Sequence, residues 1–84
     1  MKLIFLGRLG AIAPAELEQL DRPAGVRTLS DLRTWLGNEH PILGAALSDQ
    51  RSLAVVINMT IAHDPGHPIA DRDEIAFMPP MSGG

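Results

Sequence analysis

The chain has 84 residues, enough for one small domain with one modest core and too few for a second. Lys and Arg number 7 against 10 Asp and Glu, a net charge of −3 that leaves no basic patch for a nucleic-acid backbone, and the count of 0 cysteines excludes disulfides, thiolate nucleophiles and cysteine-ligated metals. The longest apolar runs, Leu3-Ile4-Phe5-Leu6 and Leu53-Ala54-Val55-Val56-Ile57, fall far short of a membrane span, and the first is too short for the core of a secretory signal, so a cytoplasmic protein is the expectation.

Residues 2 to 6 are rich in branched and aromatic side chains and stop at Gly7, as a buried first strand does. The stretch from Arg8 to Asp21 is ambiguous. Pro14-Ala15-Glu16-Leu17-Glu18-Gln19-Leu20 has the composition of a short helix, yet Leu17 and Leu20 are too few to fix a period, and a hairpin partner for the first strand is the alternative. Arg22-Pro23-Ala24-Gly25 is turn chemistry. Thr28 then opens the strongest helix: a hydroxyl followed three residues later by Asp31, with Leu29, Leu32 and Leu36 at helical spacing, Trp35 beside them and Gly37 as the expected left-handed stop. This helix is expected to cover one face of a sheet.

Pro41 begins a second, shorter helical stretch through Leu47, with Ile42, Leu43, Ala46 and Leu47 as its inward candidates, and Ser48-Asp49-Gln50-Arg51 is expected to turn the chain. Leu53 to Asn58 is continuously apolar up to its last residue and reads as a strand inside the sheet. Thr60-Ile61-Ala62 reads as a short strand, and Asp64-Pro65-Gly66-His67-Pro68 forbids regular structure. That same break separates His63 from His67, which are read as loop histidines and not as a metal pair. Asp71-Arg72-Asp73-Glu74 makes a turn before the last strand, Ile75-Ala76-Phe77-Met78. Its carboxylates have no apolar pocket to raise a pKa and are read as a solvated turn, not as an acid/base cluster. The order of elements implies an α+β roll, with the first and last strands expected near the middle of the sheet.

The chain ends Pro79-Pro80-Met81-Ser82-Gly83-Gly84. A proline pair removes two backbone donors and fixes φ, so the chain should leave the body as an extended stalk. Gly83 and Gly84 have no Cβ and can enter a slot too narrow for other residues, with the terminal carboxylate at the tip. A frayed end without a task is the alternative.

Taken together, the apolar first strand, Thr28-Leu29-Ser30-Asp31-Leu32, the apolar strand into Asn58, Asp71-Arg72-Asp73-Glu74-Ile75-Ala76-Phe77 and the Pro-Pro-Met-Ser-Gly-Gly end resemble the MoaD branch of the MoaD/ThiS family of ubiquitin-like sulfur carriers, over essentially the whole chain. The resemblance implies a β-grasp domain over residues 1–78, with a mixed sheet of four to five strands and one principal helix packed on one face, and an extended flexible tail over 79–84. It also resolves the ambiguous stretch in favour of a second strand around Glu16 to Leu20. Two departures stand out: Arg72 occupies a position where the family usually has glycine, and the segment after the first strand lacks the family's Arg-Glu-Leu pattern.

By the same resemblance the chain is a non-catalytic, sulfur-carrying small subunit of molybdopterin synthase, with similar carriers for thiamine or another sulfur-containing product, and ubiquitin-like protein modifiers, as the alternatives. Gly84 is then the site of adenylation and of the thiocarboxylate, and Gly83 gives the tail clearance. Leu6, Ile61, Phe77, Met78, Pro79, Pro80, Met81 and Ser82 are implied contacts to partners, though Leu6, Ile61 and Met78 could equally fill the core, a choice that exposure decides. The implied partners are a large subunit, in a heterotetramer of two small and two large chains, an ATP-using adenylating enzyme and a sulfur donor protein. No metal or cofactor is expected on the chain itself, nor contact with nucleic acid or membrane. The six tail residues span about 20 Å at roughly 3.1 to 3.5 Å each, enough to reach a partner's active site from a body docked outside.

Overall fold

The computed structural model describes residues 1–49 and 53–79. Strands β1 (Lys2–Phe5), β2 (Ala54–Ile57), β3 (Thr60–Ala62) and β4 (Glu74–Met78) form one mixed sheet in the order β1-β4-β2-β3, with β1 parallel to β4 and the other two pairs antiparallel. Side chains alternate between faces along a strand, and residues opposite each other across a rung share a face. The register therefore sets Leu3, Ile75 and Ile57 in one buried row and Phe5, Phe77, Val55 and Ala62 in the next. The Phe5 and Phe77 rings stack with centroids 5.1 Å apart.

Helix α2 (Leu29–Glu39) lies on this buried face through Leu29, Leu32 and Leu36, and α3 (Pro41–Asp49) adds Leu43 and Leu47 to the same core. The start of α2 is the expected capping box. Thr28 Oγ1 accepts from the Asp31 amide at 3.2 Å, while Asp31 Oδ2 accepts from the Thr28 and Arg27 amides at 3.2 and 3.0 Å. Its end is not the one expected. Gly37 stays helical, and the chain leaves the helix at His40, whose amide donates to the Leu36 carbonyl at 2.8 Å. The glycine has another use, because a Cβ on Gly44 would strike the Gly37 backbone. The pair lets α2 and α3 cross in direct contact. In α3, Leu43 and Leu47 face inward and Ala46 is half-buried, but Ile42 is 77% exposed and leaves the predicted inward set. Ser48 and Asp49 still belong to this helix, and the rest of the turn expected there, Gln50 and Arg51, lies outside the described residues.

The second strand expected at Glu16 to Leu20 is absent from the sheet. In its place stand a short helix α1 (Arg8–Ile12) and a 3-10 turn over Ala15–Glu18. The reason lies in the spacing of the leucines. Met1 and Leu20 exchange two backbone hydrogen bonds, at 2.8 and 2.9 Å, which is the first rung of an antiparallel ladder. Continuing it would set Glu18 opposite Leu3 and Glu16 opposite Phe5, so both carboxylates would enter the core while Leu17 turned outward. The 3-10 turn instead buries Leu17 to 1% exposure. Without that strand β1 lies at the sheet edge, not near the middle, while β4 is interior as expected.

The β2–β3 hairpin turns on Asn58 and Met59, both left-handed with φ of 49° and 69°, the backbone of a two-residue turn that matches strand twist. The Asn58 side chain ties this turn to the next one, donating to Asp73 Oδ1 and accepting from the Glu74 amide, each at 2.9 Å. Arg72 needs no positive φ, because the turn before β4 is built differently. The Asp73 amide donates to the Ala70 carbonyl at 3.0 Å, and Asp73 Oδ2 accepts from the Ala70 amide at 2.8 Å.

Candidate functional site

The face of the sheet opposite the helices is set by the same register. Ile4, Ala76, Val56 and Ile61 stand opposite one another across all four strands, a continuous apolar row from edge to edge. One step nearer the end of β4, the same alternation puts Leu6, Met78 and Ala54 on this face. Leu6, Ile61 and Met78 are 41%, 55% and 39% exposed, and the strand residues between them are half-buried. The exposure removes these three from the core: they are surface, on one face. At the opposite end of that face Lys2 stands across from Glu74, so the surface runs from a charged margin to an apolar one that adjoins Pro79.

Phe77 does not belong to this surface. It is 0% exposed, on the core side of β4 and stacked on Phe5, because odd and even positions of one strand face opposite ways. A ring sealed in the core offers nothing to a partner, so this implied contact is corrected to a core residue. Pro79 is half-buried. Pro80, Met81, Ser82, Gly83 and Gly84 lie outside the described residues.

Four residues that the sequence reading passed over complete the surface: Ile4, Ala54, Val56 and Ala76. Their signal was present. A strand apolar at every position has apolar residues left over for its second face, and where no helix covers that face they become surface.

Among the described residues two carboxyl groups are moved from their ordinary 3.8, and both serve structure. Asp31 is lowered chiefly by the Arg27 amide that donates to it, with Thr28 adding to the effect. Asp71 is lowered chiefly by the Arg22 amide, which donates to it at 2.7 Å, and further by the Met1 ammonium 3.7 Å away. Both shifts favour the ionised form, the opposite of what a general acid needs at neutral pH. Among the described residues no cluster of His, Asp and Glu could hold a metal ion, and no helix is long and apolar enough to cross a membrane. What the geometry offers is an exposed apolar sheet face that borders Pro79, the last described residue.

Comparison with known proteins agrees with this arrangement. The model of the ThiS family matches residues 3–84. The molybdopterin synthase sulfur carrier subunit of Escherichia coli K12 is 29% identical over 84 residues, covering 100% of this chain and 99% of that protein. The crystal structure of SAMP1 from Haloferax volcanii superposes with a TM-score of 0.73 at 27% identity, covering 98% of this chain and 96% of that one. With the mixed four-stranded sheet and helices on one face, this likeness identifies a ubiquitin-like β-grasp.

Proposed function

The chain belongs to the ThiS family, and from that premise we propose that it is the sulfur-carrying small subunit of a molybdopterin synthase. The observation that carries the proposal is the match to the Escherichia coli carrier subunit along the whole chain, in a protein whose sequence ends in Gly83-Gly84. The apolar sheet face beside the tail's exit supports it.

The chemistry follows from the tip. A free carboxylate resists nucleophilic attack because its negative charge is delocalised over both oxygens. In the proposed cycle a Gly84 oxygen attacks the α-phosphate of ATP on an adenylating enzyme and pyrophosphate leaves. Sulfur from a donor persulfide then attacks the acyl carbon and expels AMP, and cleavage of the sulfur–sulfur bond by a thiol leaves the thiocarboxylate. The tail next enters the large subunit, where this sulfur attacks cyclic pyranopterin monophosphate. Acid, base and phosphate clamp belong to the partners, and this chain contributes the reacting group, its reach and its docking face.

The family model is named for ThiS, which favours as second reading the same activation serving thiamine or another sulfur-containing product. One experiment addresses both. The chain is incubated with ATP, the adenylating enzyme of its own organism and a persulfide donor, and its intact mass is measured. The mass rises by one oxygen-to-sulfur exchange, and removal of Gly84 abolishes the rise. Adding the large subunit and cyclic pyranopterin monophosphate then discharges the sulfur. An intact tail that stays unmodified beside a competent enzyme refutes the carrier role, and loading without discharge favours the second reading.

A further inference from the structure

We propose that Gly7 is a positioning residue: its bare Cα is the seat on which the Pro79 ring rests, and this contact aims the tail. The inference rests on the carrier reading and adds to it a residue far from the tip in sequence.

Gly7 is held from both sides. The preceding Leu6 amide makes the last bond to β4, donating to the Phe77 carbonyl at 3.1 Å, and the Gly7 carbonyl accepts from the Gly10 amide at 3.1 Å in the first turn of α1. Its backbone, at φ 61° and ψ −137°, lies where residues with a Cβ are strained. A Cβ built on it would lie 3.1 Å from Pro79 Cγ and 3.9 Å from Pro79 Cδ. The seat is thus anchored to sheet and helix at once, and it is shaped by the absence of a side chain.

Pro79 is the first residue beyond β4, and it has no amide hydrogen with which to continue the ladder. Its heading after Met78 therefore depends on ring packing. The next residue in the sequence is again proline, a residue type whose ring fixes φ. Filling the seat displaces the ring, and with it the direction in which Pro79 continues β4. Gly7 is not part of the row Ile4, Ala76, Val56 and Ile61, so filling the seat leaves that row intact and the loss falls on delivery of the tip.

The test uses the full chain with the adenylating enzyme of its organism, reading kcat and KM for chain-dependent ATP–pyrophosphate exchange, with thermal melting of each variant as the control for folding. Gly7→Ala lowers kcat about tenfold, since small misplacements of a reacting group carry large rate penalties, and leaves KM within about twofold. Pro79→Ala, which keeps Gly7 and its backbone untouched, lowers kcat in the same direction. In the Pro79→Ala background, Gly7→Ala has little further effect on kcat, because residues in contact are non-additive. If Gly7→Ala does not fold, Pro79→Ala alone decides, through its kcat. Wild-type kcat in the folded variants overturns the proposal, as do additive effects or a loss confined to KM. No exchange with the wild-type chain refutes the carrier reading instead.

Discussion

Two glycines that face each other across the α2–α3 crossing respond oppositely to the same substitution. Gly44→Ala places a methyl group against the Gly37 backbone, which cannot rotate away as a side chain does, so the helices must part. Overpacking of this kind costs about 1 to 3 kcal/mol, and backbone against backbone puts it near the upper end. The gain in helix propensity from Gly to Ala returns about 1 kcal/mol, for a net loss of about 2 kcal/mol. In a domain of this size that lowers Tm by about 8 to 16 °C. Gly37→Ala meets nothing within 4 Å, because its own Cβ direction points away from α3 into open space. It keeps the propensity gain of about 0.5 to 1 kcal/mol and raises Tm by a few degrees. Circular dichroism melts of the two variants beside wild type read both signs. A Gly44→Ala protein that melts at or above wild type refutes the close crossing, and a destabilised Gly37→Ala refutes the helical backbone assigned to that position.

Two further outcomes follow from the cap and from the sheet face. Because folding lowers the Asp31 pKa below its ordinary 3.8, its contribution is fully present above that value and is lost as pH falls through the folded pKa. Urea unfolding should therefore show a gap between wild type and Asp31→Asn at neutral pH that closes in acid, whereas Thr28→Ala, which removes an uncharged cap, costs about 1 kcal/mol at neutral pH. A gap that persists well below 3.8 contradicts the assignment. Ile61→Asp, at a residue 55% exposed, leaves stability within about 0.5 kcal/mol and weakens binding of the large subunit by at least about tenfold, measured by calorimetry. Unchanged affinity removes the outer sheet face from the docking surface.

The helix at Leu29–Glu39 was legible because its signals are local: a capping hydroxyl, an acid three residues on and leucines on one stripe. Gly37 was misread for a complementary reason. A glycine near a helix end looks the same whether it ends the helix or admits a neighbour, and Gly44 identifies the second role only once the chain has folded. Glu16 to Leu20 failed as a strand because likeness to a family predicts an average topology. The leucine spacing here is three, a helical interval, and that local chemistry prevails over the ladder Met1 and Leu20 begin. Leu6, Ile61 and Met78, named through the resemblance, are exposed, whereas Phe77 was grouped with them as a partner contact although strand alternation alone separates it from Met78. The Gly7–Pro79 contact joins residues remote in sequence, and no local pattern announces it.

The order of strands also fixes when this protein can exist. Of the described strands β1 leaves the ribosome first, and its partner in the sheet is β4, the last of them, which bridges β1 to β2. Such distant pairing is slow to form and cannot begin early. A nascent chain halted before Glu74 lacks the strand that joins β1 to β2, so its leucines have only the β2–β3 pair to pack on. Closure of the sheet over the helices thus waits for β4, the last of the described strands in the chain and the one that joins the first to the rest.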